Sequence, residues 1–234
     1  MFRRLMLPAV AALCGLATIS AATPVQDVET ISQFLQSHRP ALTSYRARRH
    51  MEASTRQGTM RASLDAWTSL APDGSFSFEI IQESGSDLIR GHVLRAALIE
   101  EQRSRRANEL DAASLTPANY LLRVGPSTGD LIRIELIPKR STRMLIVGSA
   151  LVTRDDADLV RVEGTLAKRP SFWTKRVEVT RRYARVAGVR VPIEMRSTAD
   201  VMLVGASTFS MTYHYVMINE RPVDDSTAFV RSHE

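Results

Sequence analysis

The chain has 234 residues with 44% hydrophobic and 24% charged side chains, one Cys, ten Pro and eleven Gly. These proportions exclude collagen-like, disordered and disulfide-framework classes, and the length suits one globular domain that holds its core without metal or disulfide. The formal net charge of +6 is mild and rests almost wholly on scattered Arg, with Lys139, Lys168 and Lys175 as the lysines, so no concentrated nucleic-acid-binding element is expected.

Arg3 and Arg4 precede an apolar run over residues 5–17 and the small-residue segment Ser20-Ala21-Ala22, the order of a cleavable export signal. The sequence therefore predicts a signal peptide over 1–22, a domain over 23–234 and a periplasmic location. The run is shorter than the roughly 20 apolar residues of a spanning helix, and the mature chain is expected to lack a transmembrane segment. Cys14 follows Leu13, a poor context for lipidation. Without the signal the charge falls from +6 to +4, because two Arg are lost and no acid, and no cysteine remains.

Val28, Ile31, Phe34 and Leu35 recur at helical spacing, with Asp27 as a cap and Pro40 as a stop. The period then changes to two. Tyr45, Ala47, Met51 and Ala53 alternate with Arg46, Arg48, His50 and Glu52; Met60, Ala62, Leu64 and Ala66 continue the pattern after Gly58, and Phe76, Phe78 and Ile80 after Pro72-Asp73-Gly74. This is a three-strand meander. Ile89, Val93, Leu94, Ala97 and Leu98 form a helical stripe capped by Ser86. The charged continuation over 100–109, with Glu101 and Arg105 at i, i+4, reads as a solvated helix end. Strands are then expected over 119–124, 130–137, 143–152, 159–166, 173–186 and 189–198, and over 201–218 with a break at Gly205. The fold class is mainly β with two or three helices: about ten or eleven antiparallel strands in one curved sheet, an unclosed half barrel, with helices covering its concave face.

None of the Gly-x-Ser-x-Gly, His-Glu-x-x-His, Walker or Gly-x-Gly-x-x-Gly motifs occurs. The histidines (His38, His50, His92, His214, His233) stand in unlike contexts. His50 and Glu52 share a strand face without a third ligand, and Asp155, Asp156 and Asp158 read as a charged hairpin turn rather than a Ca²⁺ loop. No catalytic residue, metal or cofactor is expected. Methionines spread over many strands suit either a core or a wall for variable apolar partners. Trp173, Val177, Val179 and Tyr183 on one strand, and Val189, Val191, Ile193 and Met195 on the next, define the inner face, and Arg176, Arg182, Arg190 and Arg196 the outer.

A signal peptide, an opening helix, a meander, an internal helix and a long run of strands resemble the periplasmic lipoprotein-carrier superfamily of LolA, LolB and RseB. The phrases carrying the resemblance are Ala118-Asn119-Tyr120, Ile137-Pro138-Lys139-Arg140, Val162-Glu163-Gly164, Pro170-Ser171-Phe172-Trp173 and Gly188-Val189-Arg190-Val191-Pro192. They are closer to outer-membrane lipoprotein-sorting-like members than to LolA itself. The resemblance implies a non-enzymatic carrier for lipid or the acyl chain of a lipoprotein, with an envelope protein as a further partner. On the inner-face reading, Met60, Leu64, Phe76, Phe78, Ile80, Ile89, Val93, Trp173, Val177, Tyr183, Val191, Ile193 and Met195 would line its apolar cleft. The alternative is an RseB-type interaction or sensor module. A vacant apolar cavity would favour the carrier, and a filled core the module.

Overall fold

A computed structural model of the chain describes residues 24–55, 58–106, 109–127, 129–169, 174–201 and 205–224. The segment expected to be an export signal and Trp173 lie outside the described residues.

Helix α1 (Pro24–Gln36) is followed by strands β1 (Tyr45–Thr55), β2 (Met60–Leu70) and β3 (Phe76–Gly85). A helical segment, α2, comes next as an α-turn at Asp87–Ile89, a π-turn at Arg90–Arg95 and an α-helix at Ala96–Arg106. After a 3₁₀ turn at Glu109–Ala113 the chain runs through β4 (Tyr120–Val124), β5 (Leu131–Pro138), β6 (Ile146–Thr153) and β7 (Leu159–Leu166). It ends with β8 (Thr174–Val186), β9 (Val189–Val201), β10 (Gly205–Ile218) and β11 (Arg221–Pro222). All pairings are antiparallel, and the sheet is ordered β3-β2-β1-β10-β9-β8-β7-β6-β5-β4, with β11 beside β10. The sheet is not closed, and β3 and β4 are its edges.

The alternation predicted for β1 sets its two faces. Tyr45, Ala47, Met51 and Ala53 are buried and their neighbours Arg46, Arg48, His50 and Glu52 are exposed. Paired positions carry the same face to β2 and β10 through Leu64, Ala66, Met211 and Tyr215. With Ile89, Leu94 and Leu98 of α2 these form one core; a second contains Phe34 of α1, Tyr120, and inner-face residues of β5 to β8. Met195 packs against both.

Two departures from regular geometry change what the pattern implied. The predicted stripe of α2 included Val93, but the π-turn adds a residue to that turn. The buried positions become Ile89, Leu94 and Leu98, and Val93 turns outward at 39% exposure. In β8 and β9 the register shifts between Arg182 and Tyr183: Arg182 faces Glu194 but Tyr183 faces Pro192, leaving Ile193 as the extra residue of a bulge. Beyond it both faces of β9 are covered, since Val189 and Val191 are buried in the first core. Arg190, assigned to the outer face, has a side chain only 5% exposed. Strand β6 also starts at Ile146 rather than at 143, since the Ile146 N–H donates to the Tyr120 hydroxyl at 3.0 Å.

Gly148 and Gly164 face each other across β6 and β7. Gly164 has φ 155°, and a Cβ there would lie 2.8 Å from the Gly148 Cα and closer still to the Val147 carbonyl oxygen. Gly164→Ala is expected to cost about 1–3 kcal/mol through backbone strain and overpacking. Urea unfolding checks this: the midpoint falls with its slope unchanged, whereas an unmoved midpoint would show that the crossing tolerates a side chain.

Candidate functional site

The concave face carries charge where its pattern calls for apolar residues. Arg49 sits in the inner phase of β1, between Ala47 and Met51, and is 2% exposed. Its Nη1 donates to Glu101 Oε2 at 2.5 Å, and its Nη2 donates to Glu101 Oε1 at 3.1 Å and to the Tyr45 hydroxyl at 2.5 Å. The guanidinium lies over the rings of Tyr213 (4.7 Å) and Phe76 (5.1 Å). Arg105 adds a further contact to Glu101 Oε1 at 3.3 Å. The segment read as a solvated helix end is therefore corrected: Glu101 points into the concave face and fastens α2 to β1.

Burial would raise the Glu101 pKa, but hydrogen bonding and charge from Arg49, with help from Arg105, hold it below the ordinary carboxylate range. For Arg49, burial lowers the pKa and is outweighed by Tyr213 and Glu101, which keep the guanidinium protonated. The rest of the attachment of α2 is apolar. Ile89, Leu94 and Leu98 are each at most 2% exposed, and burying a side chain of this kind contributes roughly 1.5–3 kcal/mol. At the β3 edge, Glu83 accepts from Arg90 at 2.8 Å and pairs with Arg95.

The second cover, α1, is fastened by the same chemistry. Its terminal Ser37 carbonyl accepts from Arg185 Nη2 at 2.7 Å and from Arg190 Nη2 at 2.8 Å, favourable cations for a helix C-terminus. Asp158, in the β6–β7 turn, pairs with both: Arg185 Nε donates to its Oδ2 at 2.8 Å, and Arg190 Nη2 contacts its Oδ1. Burial pushes the Arg190 pKa down to about 10, with Asp156 acting in the opposite direction. His38 is lowered by burial and by Arg190, among other groups, and its Nδ1 lies 2.9 Å from the Phe34 carbonyl oxygen. The Asp cluster thus forms a hairpin turn whose Asp158 reaches to the α1 anchor.

Of the expected cleft residues, Leu64, Phe76, Ile89 and Val191 are buried in the first core, with Met60, Phe78, Ile80 and Met195 at its margin. Val177 and Tyr183 lie at the margin of the second. Val93 faces out, Ile193 is the bulged residue and belongs to neither buried cluster, and Trp173 is outside the described residues. Beneath α2 the face is filled by the chain's own side chains. Between the covers, by contrast, Val177, Tyr183, Met195, Phe209 and Tyr213 are only half-buried.

On the opposite face His50 bridges Glu52 (3.3 Å) and Asp65 (3.2 Å), beside a depression of about 530 Å³ lined by Arg48, His50, Asp65, Thr212, Tyr213 and His214. Burial would raise the Asp65 pKa, but Gln82, His50 and Arg48 hold it below the usual range. No group of three metal-ligating side chains occurs among the described residues. No helix among them is long and apolar enough to cross a membrane.

Sequence reasoning passed over Arg49 and Arg181 and read Glu101 only as a solvated partner of Arg105. The signal was present for two of them. Arg49 and Arg181 occupy inner-phase positions of their strands, a charged residue in the apolar half of an alternation.

No family model matches the chain, and no curated protein does. Among solved structures the fold is similar to a LolA superfamily protein from Nitrosomonas europaea, at 11% identity and TM-score 0.43 over 86% of this chain and 96% of that one. It is also similar to a domain from Vibrio parahaemolyticus described as an outer membrane lipoprotein-sorting protein, at 8% identity and TM-score 0.40, over 88% and 97% of the two chains.

Proposed function

We propose that this chain is a non-enzymatic periplasmic carrier or binding protein for lipid or acylated ligands, which it accepts on the concave face. The observation that carries the reading is an apolar concave face under two covering helices, each tied to the sheet by a buried arginine as well as by apolar packing. Displacing α2 would uncover Leu64, Ala66, Met51 and Phe76, residues now at most 4% exposed. Burial of hydrocarbon there would contribute about 0.8 kcal/mol per methylene, offsetting the contacts that α2 gives up. The apolar run after Arg3 and Arg4 supports export, and the periplasm is where acylated cargo would be met.

The filled first core favours a second reading, an interaction or sensor module of RseB type in which α2 stays in place and the partner is an envelope protein. Native and denaturing mass spectrometry of protein exported from the full precursor separates the two. The carrier reading expects a stoichiometric extra mass that disappears on denaturation and is identified as lipid or fatty acid. A bare mature mass, together with no uptake of a fluorescent fatty acid, would leave the module.

A further inference from the structure

Three arginines stand on the concave side among core-facing residues, and two are occupied. Arg49 holds Glu101 of α2, and Arg190 holds Asp158 and the end of α1. The third, Arg181 of β8, faces Met195 on one neighbouring strand and Val162 on the other, both core-facing residues. Its charge acts on the hydroxyls of Tyr120 and Tyr213, which belong to opposite halves of the face. It is half-buried, its Nε is enclosed with no hydrogen-bond partner, and it makes no hydrogen bond or ion pair among the described residues. A cation set in an apolar wall without a counter-charge costs stability unless something supplies one.

We infer that Arg181 receives the anionic head of a single-tailed amphiphile, a carboxylate or a phosphate, whose hydrocarbon lies along the half-buried Val177, Met195, Phe209 and Tyr213. The inference rests on the carrier reading and narrows its ligand. A planar guanidinium offers two parallel donors that fit either head in a fork. The neighbouring inner positions of β9 and β10 supply apolar or uncharged groups, and the one cation beside them, Arg49 over the Tyr213 ring, already has Glu101 as its counter-charge. The site lies in the uncovered strip between α1 and α2, and occupying it does not require either cover to leave.

The test titrates the full-length mature protein with dodecanoate, dodecyl phosphate and uncharged dodecanol, each below its micelle concentration, for wild type, R181M and R181K. Wild type is expected to bind both anions about tenfold or more tightly than the alcohol, the size of a hydrogen bond to a charged group. R181M should bring the anions down to the alcohol's affinity while leaving the alcohol unchanged, and R181K should restore part of the loss. Because Arg181 has no partner to lose, R181M should melt at or above wild type, so a binding defect is not a folding defect. The tighter of the two anions distinguishes a fatty-acid from a phospholipid-type head. Anion affinities unchanged in R181M, or equal to the alcohol's in wild type, would overturn the inference and leave the carrier standing. Failure of wild type to bind any of the three would sink both.

Discussion

Glu101→Gln is expected to lower the unfolding free energy by about 3–5 kcal/mol, because it leaves Arg49 enclosed with no counter-charge. Arg49 is 2% exposed, while the Glu101 side chain is 23% exposed, which places the loss toward the lower figure. The sign with pH follows from the depressed pKa of Glu101. Its stabilising contribution is fully present above the unfolded carboxylate value of about 4.3 and is lost as pH falls through the lower folded value. Urea unfolding at neutral pH and at about pH 3 should therefore show a gap between wild type and Glu101→Gln that narrows with acid. The double variant Arg49→Met, Glu101→Leu replaces the pair by apolar groups and should recover most of the loss. If Glu101→Gln unfolds at the wild-type midpoint at neutral pH, the pair does not hold α2. For a carrier the same substitution has a functional readout, since a loosened cover would raise uptake of a fluorescent fatty acid.

Asp158→Asn is the second large effect, expected at about 3–5 kcal/mol for the same reason. Asp158 is the carboxylate between Arg185 and Arg190, and Arg190 already has its Nε and Nη1 enclosed without partners. Removing the negative charge sets two guanidiniums side by side at the end of α1 with carbonyls as their hydrogen-bond acceptors and Asp156 as the remaining negative charge acting on Arg190. The defect should be local before it is global. Hydrogen exchange of the α1 amides over 30–36 should accelerate, exposing the apolar contact of Phe34, while amides of β1 and β2 keep their protection. Unchanged exchange across α1 would refute the anchoring role given to this pair.

These two arginines also mark where the sequence could be read and where it could not. Period-two alternation located the strands because inner positions such as Ala47, Met51, Leu64 and Ile134 carry an unambiguous phase, and the turns between them carry Gly, Pro and Asp. Tyr45, Ala47, Met51 and Ala53 were legible as one face, yet the position between Ala47 and Met51 is Arg49, whose role is invisible until Glu101 arrives from a helix 52 residues away. The stripe of α2 was legible to within one residue, and a π-turn decided that residue, leaving Leu94 inward as expected and turning Val93 outward. In β9, beyond a one-residue bulge at Ile193, Arg190 is buried along with its neighbours Val189 and Val191, so the expected wet side is absent there. Neither irregularity has a composition signature of its own. Both are set by tertiary fit, which a single chain read locally does not contain.

The meeting of two cores at Met195 makes this molecule two shells on one shared spine. Strands β8 to β10 are the spine, and each shell has its own strands, its own helix and its own arginine fastening. Damage should therefore stay in the half where it occurs, and either half could be remodelled while the other keeps its shape. A lineage of such chains could vary the packing under α2 freely while holding α1 and its turn constant. The strip between the shells would then be the one surface that both must agree on.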